Sequence, residues 1–192
     1  MSPVFPPRPC ARLATLVTVA LLGLPGCSLD GGLDVSLSKR DAFAERRFSL
    51  GQRVPDVAEA SAIGGIDGRV ARGSRAFARF VRCDDPDIVF KDEEGTGADR
   101  MMTPRLRDRL HRLALLVHRE WPDLSLRVTE AWDDGGEHGS GSIHYEGRAA
   151  DVTTSDVDAR KLGRLARLAL DAGFDWVFYE NTAHVHVSVA RD

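Results

Sequence analysis

Residues 183–190 read AHVHVSVA, and their alternation decides how the chain is laid out. A period of two is the period of a β-strand. It puts His184, His186 and Ser188 on one face and Val185, Val187 and Val189 on the other. The valines predict a face turned to a core. The histidines predict a polar face able to carry chemistry. Upstream, Phe174–Glu180 (FDWVFYE) reads as a second strand, joined to the first through Asn181-Thr182 as a hairpin connection. That dipeptide lacks the glycine that makes a hairpin signal strong.

Two further strands are expected at Leu124–Glu130 and Arg148–Thr154. Two helices separate and flank them. The first opens with Thr103 as N-cap and Pro104 at the first helical position. Leu106, Leu110, Leu113, Ala114 and Val117 then recur at three- and four-residue steps, and Pro122 ends the run. The second spans Ser155–Gly173, with Ser155 and Asp158 in a capping-box pattern. Leu162, Leu165, Ala166 and Ala169 line one face, and Gly173 is the C-terminal cap. Strands before, between and after two helices predict an α+β domain. Both long helices would pack on one face of a mixed sheet.

Composition agrees with a globular domain: 43% of residues are hydrophobic and 29% charged. Arg8 and Arg12 are the only charges before Cys27, and an apolar run covers Leu13–Leu24. That run is shorter than the roughly 20 residues a membrane-spanning helix needs, so residues 1–26 read as a secretory signal. The run closes on LPGC (Leu24–Cys27), which resembles a bacterial lipobox. Acyl chains on Cys27 would tie the domain to a membrane surface; the alternative is ordinary cleavage with Cys27 unmodified. Residues 27–49, rich in Gly, Ser and charge, read as a tether, and residues 50–192 as the domain. No dense basic stripe is present, since KRDAFAERR (Lys39–Arg47) interleaves acids, and nucleic acid is not an expected partner. Three cysteines give no disulfide framework, and Cys83 reads as a lone thiol.

SIHYEGRAAD (Ser142–Asp151) places His144 just before one strand and Asp151 on it, on the face shared by Ala149. His144, Asp151 and His186 could therefore converge. Two imidazoles and a carboxylate suit zinc, and three protein ligands leave the open position of a catalytic rather than a structural site. Glu180 is the candidate base, with His184 or His138 helping to steady developing negative charge. Taken singly, each histidine is more often a surface or satisfied core residue, and no HExxH pattern is present. A second group of acids comprises Glu93, Glu94, Asp99, Glu130, Asp133 and Asp134. Such a group reads either as solvated loop charges or as hard oxygen ligands for calcium.

The stretches VPDVAE, PDIVFKDEEGTGADRMMT, LRVTEAWD, SIHYEGRAADVTTSD, LARLALDAGFDWVFYE and AHVHVSV resemble the Hedgehog amino-terminal signalling domain, from about Leu50 onward. The resemblance implies an α+β sandwich with a zinc site at His144, Asp151 and His186. It implies a catalytic-type glutamate at Glu180 and accessory histidines at His138 and His184. It also implies a pair of calcium ions at Glu93, Glu94, Asp99, Glu130 and Asp133. One family aspartate falls on Gly135, so Asp134 would have to substitute or a single calcium would bind. Calcium is expected to order the loop DDGGEHGSGS and so bring His138 over the zinc.

The pattern Ser142, His144, Gly147, Ala149, Asp151 is also similar to zinc D-Ala-D-Ala carboxypeptidases and dipeptidases, although Glu180 and His186 lie farther apart than in those enzymes. With the lipobox and an end soon after HVHVSVARD, the expectation is a calcium-modulated zinc metallopeptidase. It would be lipid-anchored at the bacterial cell envelope and act on peptidoglycan peptides. The competing expectation is a non-catalytic Hedgehog-type binding or signalling module whose metals stabilise a recognition surface.

Overall fold

The computed structural model describes residues 47–93 and 95–191. The signal segment, Cys27 and most of the tether lie outside the described residues, as does Glu94. In chain order the regular elements begin with β1 (Arg53–Val54), α1 (Glu59–Ile63), β2 (Val81–Arg82), β3 (Ile88–Phe90) and β4 (Met101–Met102). Then follow α2 (Pro104–Glu120), β5 (Leu126–Glu130), β6 (Ala149–Thr154), α3 (Leu162–Ala172), β7 (Trp176–Phe178) and β8 (Val185–Ser188). Six strands form one sheet in the order β1-β7-β8-β6-β5-β3. Only β3 and β5 run parallel; the other neighbours are antiparallel, so the sheet is mixed as expected. β2 and β4 make a separate two-stranded ribbon.

The two long helices lie on one face. Leu106, Leu110, Leu113, Ala114 and Val117 of α2 are all buried, as their spacing requires. They pack in one cluster with Leu162, Leu165, Ala166 and Ala169 of α3 and with Ala150, Val152, Val185, Val187 and Val189 of the sheet. Thr103 caps α2 by accepting from the Leu106 amide. Cys83 is a free, buried thiol of this core. Among the described residues no helix is long and apolar enough to cross a membrane.

Two local expectations change. α3 begins at Leu162, after a 3-10 turn at Ala159–Lys161, not near Ser155. Val157 sits at φ 55°, outside helical space. Asp158 caps the 3-10 turn, and the Ser155 hydroxyl accepts from the Ser125 amide. The β7–β8 hairpin forms, but Phe178 pairs with His186, so its connection is longer than two residues.

The opposite face of the sheet is not bare. α1 and the chain after it cover part of it, forming a smaller cluster of Ile63, Ile143, Ala149 and Trp176. Arg148, buried, fastens this cover. Its guanidinium donates to the Glu146 carboxylate and to the carbonyls of Ile63, Gly64, Gly65 and Val189, which uses all five of its N–H groups. The Trp176 indole donates to the Val57 carbonyl at 3.0 Å.

Gly163 is the closest approach in the helical layer. A Cβ there would lie 2.4 Å from the Phe48 carbonyl oxygen, while the Phe48 amide donates to the Gly163 carbonyl at 2.9 Å. Gly to Ala in a helix normally stabilises by about 0.5–1 kcal/mol. Here Gly163→Ala is expected to destabilise by about 1–3 kcal/mol, because backbone has to move. Urea unfolding of the two chains reads the sign.

Candidate metal centre

His144 lies on a 3-10 turn, Ile143–Glu146, capped by the Ser142 hydroxyl and closed by Gly147 at φ 59°. Its Nδ1 is 2.6 Å from the Ala131 carbonyl oxygen. A carbonyl only accepts, so Nδ1 carries a proton and Nε2 is the nitrogen left to meet a metal. That nitrogen lies 3.3 Å from His186 Nδ1 and 3.6 Å from Asp151 Oδ1. Asp151 Oδ1 and His186 Nδ1 are 2.9 Å apart. Ligands on a tetrahedral zinc with bonds of about 2.0–2.1 Å sit about 3.3 Å from one another. The three donor atoms are thus already spaced for one zinc ion, and the residues present fit it. All three side chains are buried.

The β6–β8 ladder sets Asp151 directly opposite His186. His186 does not project into solvent as its strand position alone suggests, because α1 lies over it. Glu59, on α1, reaches His186 Nε2 at 2.8 Å. A carboxylate on the far nitrogen of a metal-binding imidazole orients the ring and raises its basicity. Burial opposes a charge on His186, but its hydrogen bonds to Asp151 and Glu59 outweigh that and push its pKa up to about 10. Asp151 is likewise buried, yet its contacts with His144 and His186 hold it well below the usual carboxylate range.

Of the accessory residues, His138 stacks on His144, centroids 4.3 Å apart and rings 17° from parallel. His138, His144 and Asp151 each offer a donor within 4.8 Å of the others. Glu180, partly exposed, meets His184 Nε2 at 3.0 Å, and that nitrogen lies 3.5 Å from Asp151 Oδ2.

Of the acids, Glu130 ends β5, where a bulge after Val128 brings it opposite Asp151. Asp99 accepts from the Ala131 and Asp92 amides. Glu93 is 2.6 Å from the Lys91 ammonium. Asp134 pairs with Arg72 at 2.5 Å. Asp133 accepts from the Gly136, Glu137 and His138 amides and from His138 Nδ1. The expected work of calcium on this loop is therefore done in part by one carboxylate. A carboxylate oxygen has two acceptor sites, so Asp99 and Asp133 can hold amides and still face a hard cation.

A profile of the Hedgehog amino-terminal signalling domain matches residues 35–188. The chain is 48% identical over 188 residues to Indian hedgehog protein of Gallus gallus, covering 96% of this chain and 46% of that one. It is 54% identical over 143 residues to Sonic hedgehog protein of Danio rerio, covering 73% and 34%. It is 43% identical over 190 residues to protein hedgehog of Drosophila erecta, covering 96% and 41%. The chain belongs to the Hedgehog amino-terminal signalling domain family, and it spans less than half the length of these relatives.

Asp133 gives the site a pH signature. Burial works against its charge, but the amides and His138 win and lower its pKa from 3.8 to about 2. A carboxyl lowered in the fold stabilises it above the unfolded value and loses that contribution as the pH falls. Asp133→Asn is expected to destabilise the chain most near pH 7. The gap from the parent should shrink below about pH 4 and close toward pH 2, as read by denaturant unfolding across that range.

Proposed function

We propose that the chain is an exported signalling module of the Hedgehog type, in which one zinc ion held by His144, Asp151 and His186 stiffens a recognition surface for a protein partner. The observation that carries this reading is the spacing of His144 Nε2, Asp151 Oδ1 and His186 Nδ1 at 2.9–3.6 Å in a chain of this family. The names of the relatives support signalling over hydrolysis. Arg8, Arg12 and the apolar run Leu13–Leu24 support export, and LPGC supports lipidation at Cys27. A single calcium ion is proposed at Glu93, Glu94, Asp99, Glu130 and Asp133, without Asp134. Calorimetric titration is expected to find one calcium equivalent, lost in Asp133→Asn; two equivalents overturn this assignment.

A zinc peptidase acting on cell-wall peptides at a bacterial envelope is the second reading, and Glu180 favours it. Bound zinc supplies Lewis acidity and an acidified water. Glu180, beside His184 and open to solvent, is placed to hold a proton, and a structural site has no use for such a group. The two readings separate on Glu180→Ala with zinc retained. The signalling module predicts an unchanged response in Hedgehog-responsive reporter cells and no zinc-dependent cleavage of muropeptides by the parent. Cleavage by the parent that falls by about 10²-fold or more in the variant moves the conclusion to the enzyme.

Glu59 is open to a sharper check. Glu59→Gln keeps the shape and removes the charge facing His186 Nε2, so zinc affinity is expected to fall about 10- to 100-fold. Chelator competition measures it, with circular dichroism confirming the fold.

A further inference from the structure

Asp151 belongs to two donor groups at once. Its Oδ1 faces His186 Nδ1 at 2.9 Å and His144 Nε2 at 3.6 Å. Its Oδ2 faces the other way, toward His184 Nε2 at 3.5 Å, and that nitrogen lies 3.0 Å from Glu180 Oε2. Asp151, Glu180 and His184 offer one ligand atom each, all within 4.8 Å of one another. Two carboxylates thus converge on one imidazole nitrogen, which the Asn181 amide nitrogen also meets at 3.1 Å. A proton on Nε2 points along one direction and cannot serve both oxygens fully. A divalent ion accepts lone pairs from all three, which relieves the like-charge repulsion. One imidazole and two carboxylates suit zinc, cobalt or manganese rather than softer metals.

We propose that Asp151, Glu180 and His184 form a second, weaker site for a zinc-like divalent cation, joined to the first through the two oxygens of Asp151. The inference rests on His144, Asp151 and His186 forming the first site. The second is weaker for two reasons. Its ligands are more accessible, the Glu180 and His184 side chains being 43% and 22% exposed. The two cations also repel across a shared carboxylate. Filling it ties up Glu180: while that carboxylate ligates an ion it cannot hold a proton or meet a partner. Excess metal would therefore silence whatever Glu180 does and leave the first ion in place. The surface around Glu180 then becomes a sensor of free metal concentration.

The full chain is titrated with Zn²⁺, and separately with Co²⁺ followed by paramagnetic resonance. The parent is expected to bind two equivalents, the second at least about tenfold more weakly. The high-spin Co²⁺ signal of the one-ion form should weaken as the second ion enters, because the two spins couple across Asp151. Glu180→Gln and His184→Ala should each lose the second equivalent and keep the first; His186→Ala should lose the tight one. A parent that binds one tight equivalent, with stoichiometry unchanged in Glu180→Gln, overturns the second site and leaves the first standing. A parent with no tight equivalent at all overturns the first site and this inference with it.

Discussion

The position of Asp151 opposite His186 in the β6–β8 ladder is the constraint on which the rest depends. Register in this pair is fixed from both sides. Val185 and Val187 fill the core under α2 and α3, so a slip of one residue would bury His186 there and expose valine. The same alternation that closes the core therefore delivers a carboxylate and an imidazole to one point on the far face. Apolar burial, which has no preference for any metal, does the aligning. The two donors meet at 2.9 Å because the ladder leaves them nowhere else to go.

The third donor arrives differently. His144 is not on a strand, and its ring is aimed by the Ala131 carbonyl at Nδ1 and by His138 stacked on its face. That carbonyl sits just past the β5 bulge, beside Asp99, which accepts the Ala131 amide. The acid group and the imidazole group thus share one short stretch of backbone. Asp133, two residues on, ties its own loop and seats His138 against His144. His144 and the Asp133 loop are preorganised mostly by backbone partners, whereas His186 is held by two carboxylates.

The long elements were legible in the sequence because they repeat. α2 carries five apolar positions at helical spacing, and residues 185–189, β8 and the residue after it, carry three valines at strand spacing; each pattern is long enough to outvote local accidents. The sheet's edges were not legible. β1 is two residues long and exists only because Arg53 and Val54 meet Phe178 and Val177, far along the chain. No local signal can report such a pairing. The start of α3 was misread for a related reason: Ser155 and Asp158 have cap chemistry, but Val157 takes a turn that a capping box excludes. At the site, His144, Asp151 and His186 were found by face and family likeness, and the structure brings them together. Glu59 was missed. It lies 127 residues from His186, on a helix of five residues, and only its place within VPDVAE, one of the stretches shared with Hedgehog domains, hinted at a role.

Arg148 gives a last consequence. One guanidinium gathers four carbonyls and a carboxylate from stretches around Ile63, Glu146 and Val189. The same stretch of backbone leads directly into the helix that carries Glu59. Damage at this clamp would travel along α1 and arrive at His186 as a loosened ring, with every ligand intact. Variants at residues 63–65 or at Arg148 can therefore mimic ligand loss in any assay that depends on the ion. Such a phenotype would locate the lever and not the fulcrum.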